Sequence, residues 1–144
     1  MSAAQPILDI RNLSKHYGGQ TALRDVSFRA KPGEFIVILG RSGAGKSTLM
    51  RCINRLVSPT SGEILFDGAP FQDDRRHLRL LRRRIGMIFQ HFNLVKRLSV
   101  LSNVLTGVLG YKALLPSLAY HFTREEKLAA MECLDRVNMS HKAF

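Results

Sequence analysis

Apolar and polar residues alternate in two early segments of the chain, and such alternation is typical of half-buried strands. Residues 7–11 form the first segment and residues 21–30 contain the second, with Tyr17-Gly18-Gly19 predicted as a turn between them. Residues 35–39 are continuously apolar and are bounded by turn residues. This run predicts a strand buried on both faces, as in a parallel sheet covered by helices.

The next part of the chain changes from strand-like to helical spacing and back. Apolar residues recur at helical spacing over 46–56, whereas residues 63–66 predict a short strand followed by an Asp67-Gly68 turn. Asp73 or Asp74 is predicted to cap a basic helix, and residues 85–89 are a candidate core strand. These elements together predict a mixed α/β fold.

Helical patterns dominate after residue 90. Val100, Val104 and Val108 are spaced four residues apart, and residues 123–126 read Thr-Arg-Glu-Glu, which predicts a capping box. An apolar stripe is predicted on the helix that follows, formed by Ala130, Met131, Leu134 and Val137. The chain is therefore predicted to end in a small helical segment.

Composition narrows the class of protein. The chain has 144 residues, of which 45% are hydrophobic, and this suits about one globular domain. No apolar stretch reaches the about 20 residues that a membrane span needs, and no secretory signal is expected, so the chain is expected to be intracellular. The two cysteines, Cys52 and Cys133, predict neither a disulfide framework nor a metal site.

Basic residues outnumber acidic ones, 22 to 11, so the formal net charge is +11. Such a surplus suggests an anionic partner. Six arginines crowd into one segment: Arg75, Arg76, Arg79, Arg82, Arg83 and Arg84. A solvated helix face explains this cluster as well as a binding role does, because a charge run alone names no ligand.

Residues 40–47 read Gly-Arg-Ser-Gly-Ala-Gly-Lys-Ser and match the phosphate-binding loop at every fixed position. A predicted strand precedes the loop and a predicted helix follows it, as the motif requires. Glycines let the backbone amides turn inward around an anion, and the helix adds its free amino-terminal amides. Lys46 is placed to reach the β- and γ-phosphates, and the Ser47 hydroxyl is placed to ligate Mg²⁺.

Several motifs together resemble the ATP-binding subunit of an ABC transporter. They are Tyr17-Gly18-Gly19, Lys31-Pro32-Gly33-Glu34, the phosphate loop followed by Thr48-Leu49, Ser61-Gly62-Glu63-Ile64, and Ile88-Phe89-Gln90. Residues 89–95, 97–100 and 103–105 are similar to phosphonate importers within that family, and polar amino-acid importers look similar around Gln90. The resemblance covers essentially the whole chain.

The resemblance implies roles for individual residues. Tyr17 would stack on adenine, and Gln90 would be catalytic, approaching the attacking water or the Mg²⁺ that Ser47 also ligates. The residues around Phe92 and Leu94 would contact a coupling helix of the membrane permease, although a core role suits them nearly as well. The implied ATP-binding residues of the loop are Gly40, Arg41, Ser42, Gly43, Ala44, Gly45, Lys46, Ser47 and Thr48.

Some family motifs have no counterpart in this sequence. It contains no Leu-Ser-Gly-Gly-Gln signature, no second acidic motif and no switch histidine. Asp67 follows three apolar residues, but Gly68 comes next, so we interpret Asp67 as a turn residue. We expect the chain to be the amino-terminal half of an ABC ATPase, truncated, and inactive in hydrolysis by itself.

The resemblance also implies an architecture and partners. The expected fold class is α/β: a P-loop NTPase core with an antiparallel β subdomain over 1–90, and the start of an α-helical subdomain over 91–144, as an incomplete domain. The expected function is ATP binding in an importer, for phosphonates or alternatively polar amino acids. Expected partners are permease subunits, a second ATP-binding subunit in a homodimer and, indirectly, a substrate-binding protein.

The expected location is the cytoplasmic face of the inner membrane, as a peripheral protein. A nucleic-acid-associated ABC ATPase is an alternative of a different class, which the charge of +11 invites. No zinc module or long coiled-coil insertion accompanies that charge, so no nucleic-acid partner is expected.

Overall fold

The computed structural model describes residues 5–71, 74–90, 93–112 and 121–144. The chain divides into two compact units, Met1–Ile85 and Gly86–Phe144. Each unit has a hydrophobic core of its own.

An antiparallel sheet of four strands forms the frame of the first unit, in the order β2-β1-β3-β4. The strands are β1 (Leu8–Tyr17), β2 (Gln20–Ala30), β3 (Ser61–Phe66) and β4 (Ala69–Pro70). Gly18 and Gly19 join β1 to β2, and Tyr17 pairs with Gln20 at that hairpin end. The strand predicted from the alternation at residues 7–11 is confirmed, and β1 continues past that segment to Tyr17.

Helix α1 (Lys46–Ile53) packs its apolar face on this sheet. Its buried residues Leu49, Cys52 and Ile53 share a core with Ile10, Leu13, Leu23 and Ile64. Burial raises the pKa of the Cys52 thiol, so this cysteine behaves as a small apolar core residue. The helical spacing at 46–56 is confirmed, with an end three residues earlier.

Helix α2 (Arg75–Arg84) completes the first unit. Asp74 caps it, because the Asp74 carboxylate accepts from the backbone amides of Arg76 at 2.9 Å and His77 at 3.0 Å. These bonds, the one from His77 foremost, lower the pKa of the Asp74 carboxyl. The alternative cap, Asp73, lies outside the described residues.

Two helices and two 3-10 turns form the described part of the second unit. They are α3 (Val100–Leu105), the turn Thr106–Tyr111, α4 (Arg124–Arg136) and the turn Ser140–Lys142. The capping box of Thr123 and Glu126 is present as predicted. The core of this unit contains Leu101, Leu105, Phe122, Ala130, Leu134 and Ala143.

Three sequence predictions were wrong. Residues 35–39 and 85–89 form no strand. Phe35 is 90% exposed, Leu39 is 88% exposed and Ile88 is fully exposed. A strand requires a neighbour for its backbone hydrogen bonds, and neither segment has one among the described residues. Val137 leaves the apolar stripe because it caps the end of α4, where the helical phase ends, and it is 65% exposed.

The helices of the described residues are short. Within the described ranges, the longest helix has 13 residues, and none is both long and apolar enough to cross a bilayer.

Candidate functional site

The glycine-rich loop of residues 40–45 leads directly into α1. Gly45 occupies the amino-terminal cap position with φ 85°, a left-handed conformation that favours glycine. No side chain caps this end, and the first paired amide of the helix is that of Leu49, which donates to the Gly45 carbonyl at 2.8 Å. The Ala44 amide of the loop donates to the Arg41 carbonyl at 3.2 Å, whereas the amides of the first turn of α1 are available to an anion, and the helix dipole adds positive potential there.

Lys46 lies across the loop that precedes it. Its ammonium donates to the carbonyl oxygens of Gly40 at 2.5 Å and Arg41 at 2.7 Å. These two bonds hold a positive charge beside the free amides of the α1 amino end. Ser47 follows on the first turn with its side chain exposed, so its hydroxyl is accessible to a cation bound with the phosphates.

Strand β2 fixes the loop from the other side. A Cβ atom on Gly45 would collide with the carbonyl oxygen of Ala22 and lie 3.0 Å from Cδ2 of Leu23. Glycine is thus required at this position both by φ and by the approach of β2. The contact anchors the phosphate loop to the same hairpin that carries Tyr17.

Tyr17 lies at the turn of that hairpin, paired with Gln20. Gln20 is two residues along β2 from Ala22, which corresponds to about 7 Å of strand. The residue is 46% exposed, and the ammonium of Lys15 lies 4.9 Å from the centroid of its ring. Tyr17 is therefore an accessible aromatic surface in the same unit as the phosphate loop, and a cation accompanies it.

The predicted site residues do not all fall in one unit. Tyr17 and residues 40–48 belong to the first unit, whereas Gln90 belongs to the second, where it is exposed. The catalytic and Mg²⁺-binding roles of Gln90 stay predictions. Sequence analysis missed Lys15, although its position two residues before Tyr17 on a strand places both side chains on one face.

The segment that follows Gln90 is organised by the partly buried side chain of Asn103. The Asn103 side chain accepts from the amide of Val95 at 2.9 Å and donates to the carbonyls of Val95, Leu98 and Ser99 at 3.0–3.2 Å. Leu94, which lies on this segment, is 64% exposed and is therefore not a core residue of the second unit. Phe92 lies outside the described residues.

Two arginines of the cluster bond to other elements of the first unit, and three others lie exposed. Arg82 donates to the carbonyl of Arg55 at 2.7 Å, just past the end of α1, where a cation complements the helix dipole. Arg84 pairs with Asp67 at 2.6 Å and stacks on the ring of Phe66. The turn interpretation of Asp67 is confirmed by its φ of 50° between β3 and β4. Arg75, Arg76 and Arg79 lie exposed on α2.

Two curated relatives of the chain are named as phosphonates import ATP-binding proteins. The chain is 49% identical over 140 residues to "Phosphonates import ATP-binding protein PhnC 2" of Oceanobacillus iheyensis, covering 96% of this chain and 55% of that protein. It is 46% identical to the "Phosphonates import ATP-binding protein PhnC" of Bdellovibrio bacteriovorus, covering 99% and 56%. The chain thus spans about half the length of the curated relatives it matches.

Solved structures show the same fold. The dimeric structure of MJ0796, a bacterial ABC transporter cassette, has a TM-score of 0.79 at 33% identity, covering 94% of this chain and 60% of that one. CbiO1 from Clostridium perfringens, part of the ABC transporter complex cbiONQ, has a TM-score of 0.75 at 31% identity, covering 96% and 53%. The expected fold class is confirmed, and residues 23–143 match the ABC transporter family. The chain therefore belongs to the ABC transporter family, as a part of its ATP-binding cassette.

Proposed function

We propose that this chain binds Mg²⁺-ATP as the ATP-binding component of an importer, with phosphonates as the transported class. The observation that carries the proposal is the uncapped amino end of α1, preceded by Gly45 and flanked by the Lys46 ammonium. A triphosphate matches this arrangement because it offers several anionic oxygens to amides and to one cation.

The residues present fit both nucleotide and metal. Residues 40–48 would hold the phosphates, Tyr17 would stack on adenine, and the Ser47 hydroxyl would ligate the cation. When bound, Mg²⁺ neutralises phosphate charge. Lys46 would exchange its bonds to the Gly40 and Arg41 carbonyls for bonds to phosphate oxygens, which are stronger partners because they are charged.

Turnover is proposed to need more than this chain. Gln90 can orient a water through its amide, but an amide is too weak a base to activate that water. The sequence supplies no second acidic motif, switch histidine or signature motif. We therefore expect ATP binding without hydrolysis above background.

The names of the relatives support a proposal for partners and location. Phosphonate import in the relatives' names supports permease subunits as partners and the cytoplasmic face of the inner membrane as the place of action. Segment 93–99, with Leu94 exposed and Asn103 holding its shape, is the proposed permease contact. The dimeric MJ0796 cassette supports pairing with a second ATP-binding subunit. A substrate-binding protein would act only indirectly, and no nucleic-acid partner is proposed.

Calorimetric titration with Mg²⁺-ATP tests the proposal, together with a phosphate-release assay. The unsubstituted chain is expected to bind ATP, and Lys46→Ala is expected to abolish binding because it removes the cation beside the loop. Lys31→Ala is the matched control, since it removes one charge from an exposed turn. Equal binding by Lys46→Ala and the unsubstituted chain would contradict the proposal. Lys46-dependent phosphate release well above background would contradict the expected absence of turnover.

A further inference from the structure

Lys15 and Tyr17 share one face of β1. Residues two apart on a strand point to the same side, and here the Lys15 ammonium lies 4.9 Å from the centroid of the Tyr17 ring. A cation at this distance from an aromatic ring is attracted to its electron-rich face. One face of the ring is therefore covered from within the protein.

A hydrogen bond also fixes the position of the Lys15 ammonium. It donates to the carbonyl oxygen of Ser58 at 2.8 Å, in the loop that follows α1. Thr60 ties the same loop to β1 on both sides of Lys15: its amide donates to the Ser14 carbonyl at 2.9 Å, and its hydroxyl accepts from the His16 amide at 3.0 Å. The loop that holds the Lys15 ammonium is itself hydrogen-bonded to β1, so the ammonium can restrain the orientation of the Tyr17 ring.

Strand pairing relates this pair of side chains to the phosphate loop. Lys15 pairs with Leu23 on β2, and Leu23 lies against Gly45 at the loop end. The element that fixes the phosphate loop therefore also fixes the strand that carries Lys15 and Tyr17. A restrained ring on the hairpin that also contacts the phosphate loop suits a ligand that has a flat base at one end and phosphates at the other.

We propose that Lys15 is a positioning residue for the nucleobase: held by Ser58, its ammonium covers one face of Tyr17 and leaves the other face for the base. This inference rests on the nucleotide binding proposed above. The base stacks on a ring whose orientation is already set, so less conformational freedom is lost on binding. Stacking accepts any base, so Lys15 affects ATP and GTP alike.

The test compares two ligands that share phosphates but not a base. Mg²⁺-ATP and inorganic tripolyphosphate with Mg²⁺ are titrated into the unsubstituted chain, Lys15→Met and Lys15→Arg. Lys15→Met is expected to weaken ATP binding about two- to fivefold, as loss of an exposed cation–π contact predicts. Tripolyphosphate binding is expected to be unchanged, and Lys15→Arg is expected to restore ATP affinity. Lys31→Met is the control for the loss of one charge.

A double-mutant cycle separates positioning from a general structural role. In a Tyr17→Ala background, Lys15→Met is expected to have no further effect on ATP affinity, because the ring through which it acts is gone. An equal loss in both backgrounds, or an equal loss for ATP and tripolyphosphate, overturns the proposal. If the unsubstituted chain binds tripolyphosphate and Lys15→Met leaves ATP affinity intact, the proposal fails while the proposed function stands. If the unsubstituted chain binds neither ligand, both fail.

Discussion

Gly45 lies so close to Ala22 that no side chain fits between the α-carbon of the one and the carbonyl oxygen of the other. This approach joins the phosphate loop to β2 by close packing of the two backbones. The glycine of the motif therefore serves two purposes: it permits the left-handed turn into α1, and it lets the strand that leads to Tyr17 come close.

Gly45→Ala is expected to destabilise the first unit by about 2–5 kcal/mol, because strain at positive φ adds to overpacking against β2. Gly43→Ala is the matched control, since Gly43 also has a positive φ, 81°, but a Cβ there meets nothing within 4 Å. That variant is expected to lose only about 1–2 kcal/mol. Urea unfolding of both variants measures the difference, and equal losses would show that the approach of Ala22 is unimportant.

Two parts of the arginine cluster are expected to respond differently to substitution. Arg82→Met removes the donor to the Arg55 carbonyl and is expected to cost about 1 kcal/mol, whereas Arg75→Met is expected to change stability by no more than about 0.5 kcal/mol. Thermal unfolding of the two variants gives the comparison. A similar loss from both would mean that the bond of Arg82 contributes nothing of its own.

The exposed arginines of α2 are also expected to contribute nothing to the affinity for nucleotide. Reversing two charges, in Arg75→Glu with Arg79→Glu, is expected to leave ATP affinity within about twofold, because solvent screening weakens interactions beyond about 10 Å. Calorimetric titration at about 0.15 M salt measures this. A tenfold loss of affinity would instead show that this surface helps to hold phosphate.

Stability of the second unit is expected to fall in acid through Glu126. The hydrogen bond from Lys112, followed by that from the Thr123 amide, lowers the pKa of the Glu126 carboxyl below its ordinary 4.5. A carboxyl with a lowered folded-state pKa stabilises the fold above its unfolded-state pKa, and this stabilisation is lost as the pH falls through the folded-state value. We therefore expect the unfolding temperature to drop as the pH falls below 4.5.

Glu126→Gln is the variant that tests this assignment. Glutamine can still accept from the Thr123 amide in the capping box, but it does not titrate. The variant is expected to be less stable than the unsubstituted chain at neutral pH and to show a flatter decline in acid. Glu132→Gln, at an exposed position of the same helix, is expected to keep the full decline. Thermal melts at a series of pH values would refute the assignment if all three proteins behaved alike.

Local sequence determined those features whose hydrogen bonds close within a few residues. The loop of residues 40–47, the cap at Asp74 and the capping box at Thr123 all follow from residue types at fixed short spacing, since their donors and acceptors are sequence neighbours. The family resemblance was also readable, because those same local motifs carry it.

Only the tertiary structure decided which distant segments meet. The contact of Gly45 with Ala22, the bond of Lys15 to Ser58 and the support of Arg55 by Arg82 join residues far apart in sequence, and no local pattern encodes such pairing. Residues 35–39 also show that a local pattern does not determine which segments pair. Their apolar run favours a buried strand, but a strand forms only where a neighbouring backbone offers its donors and acceptors, and the described part of the chain places none beside it.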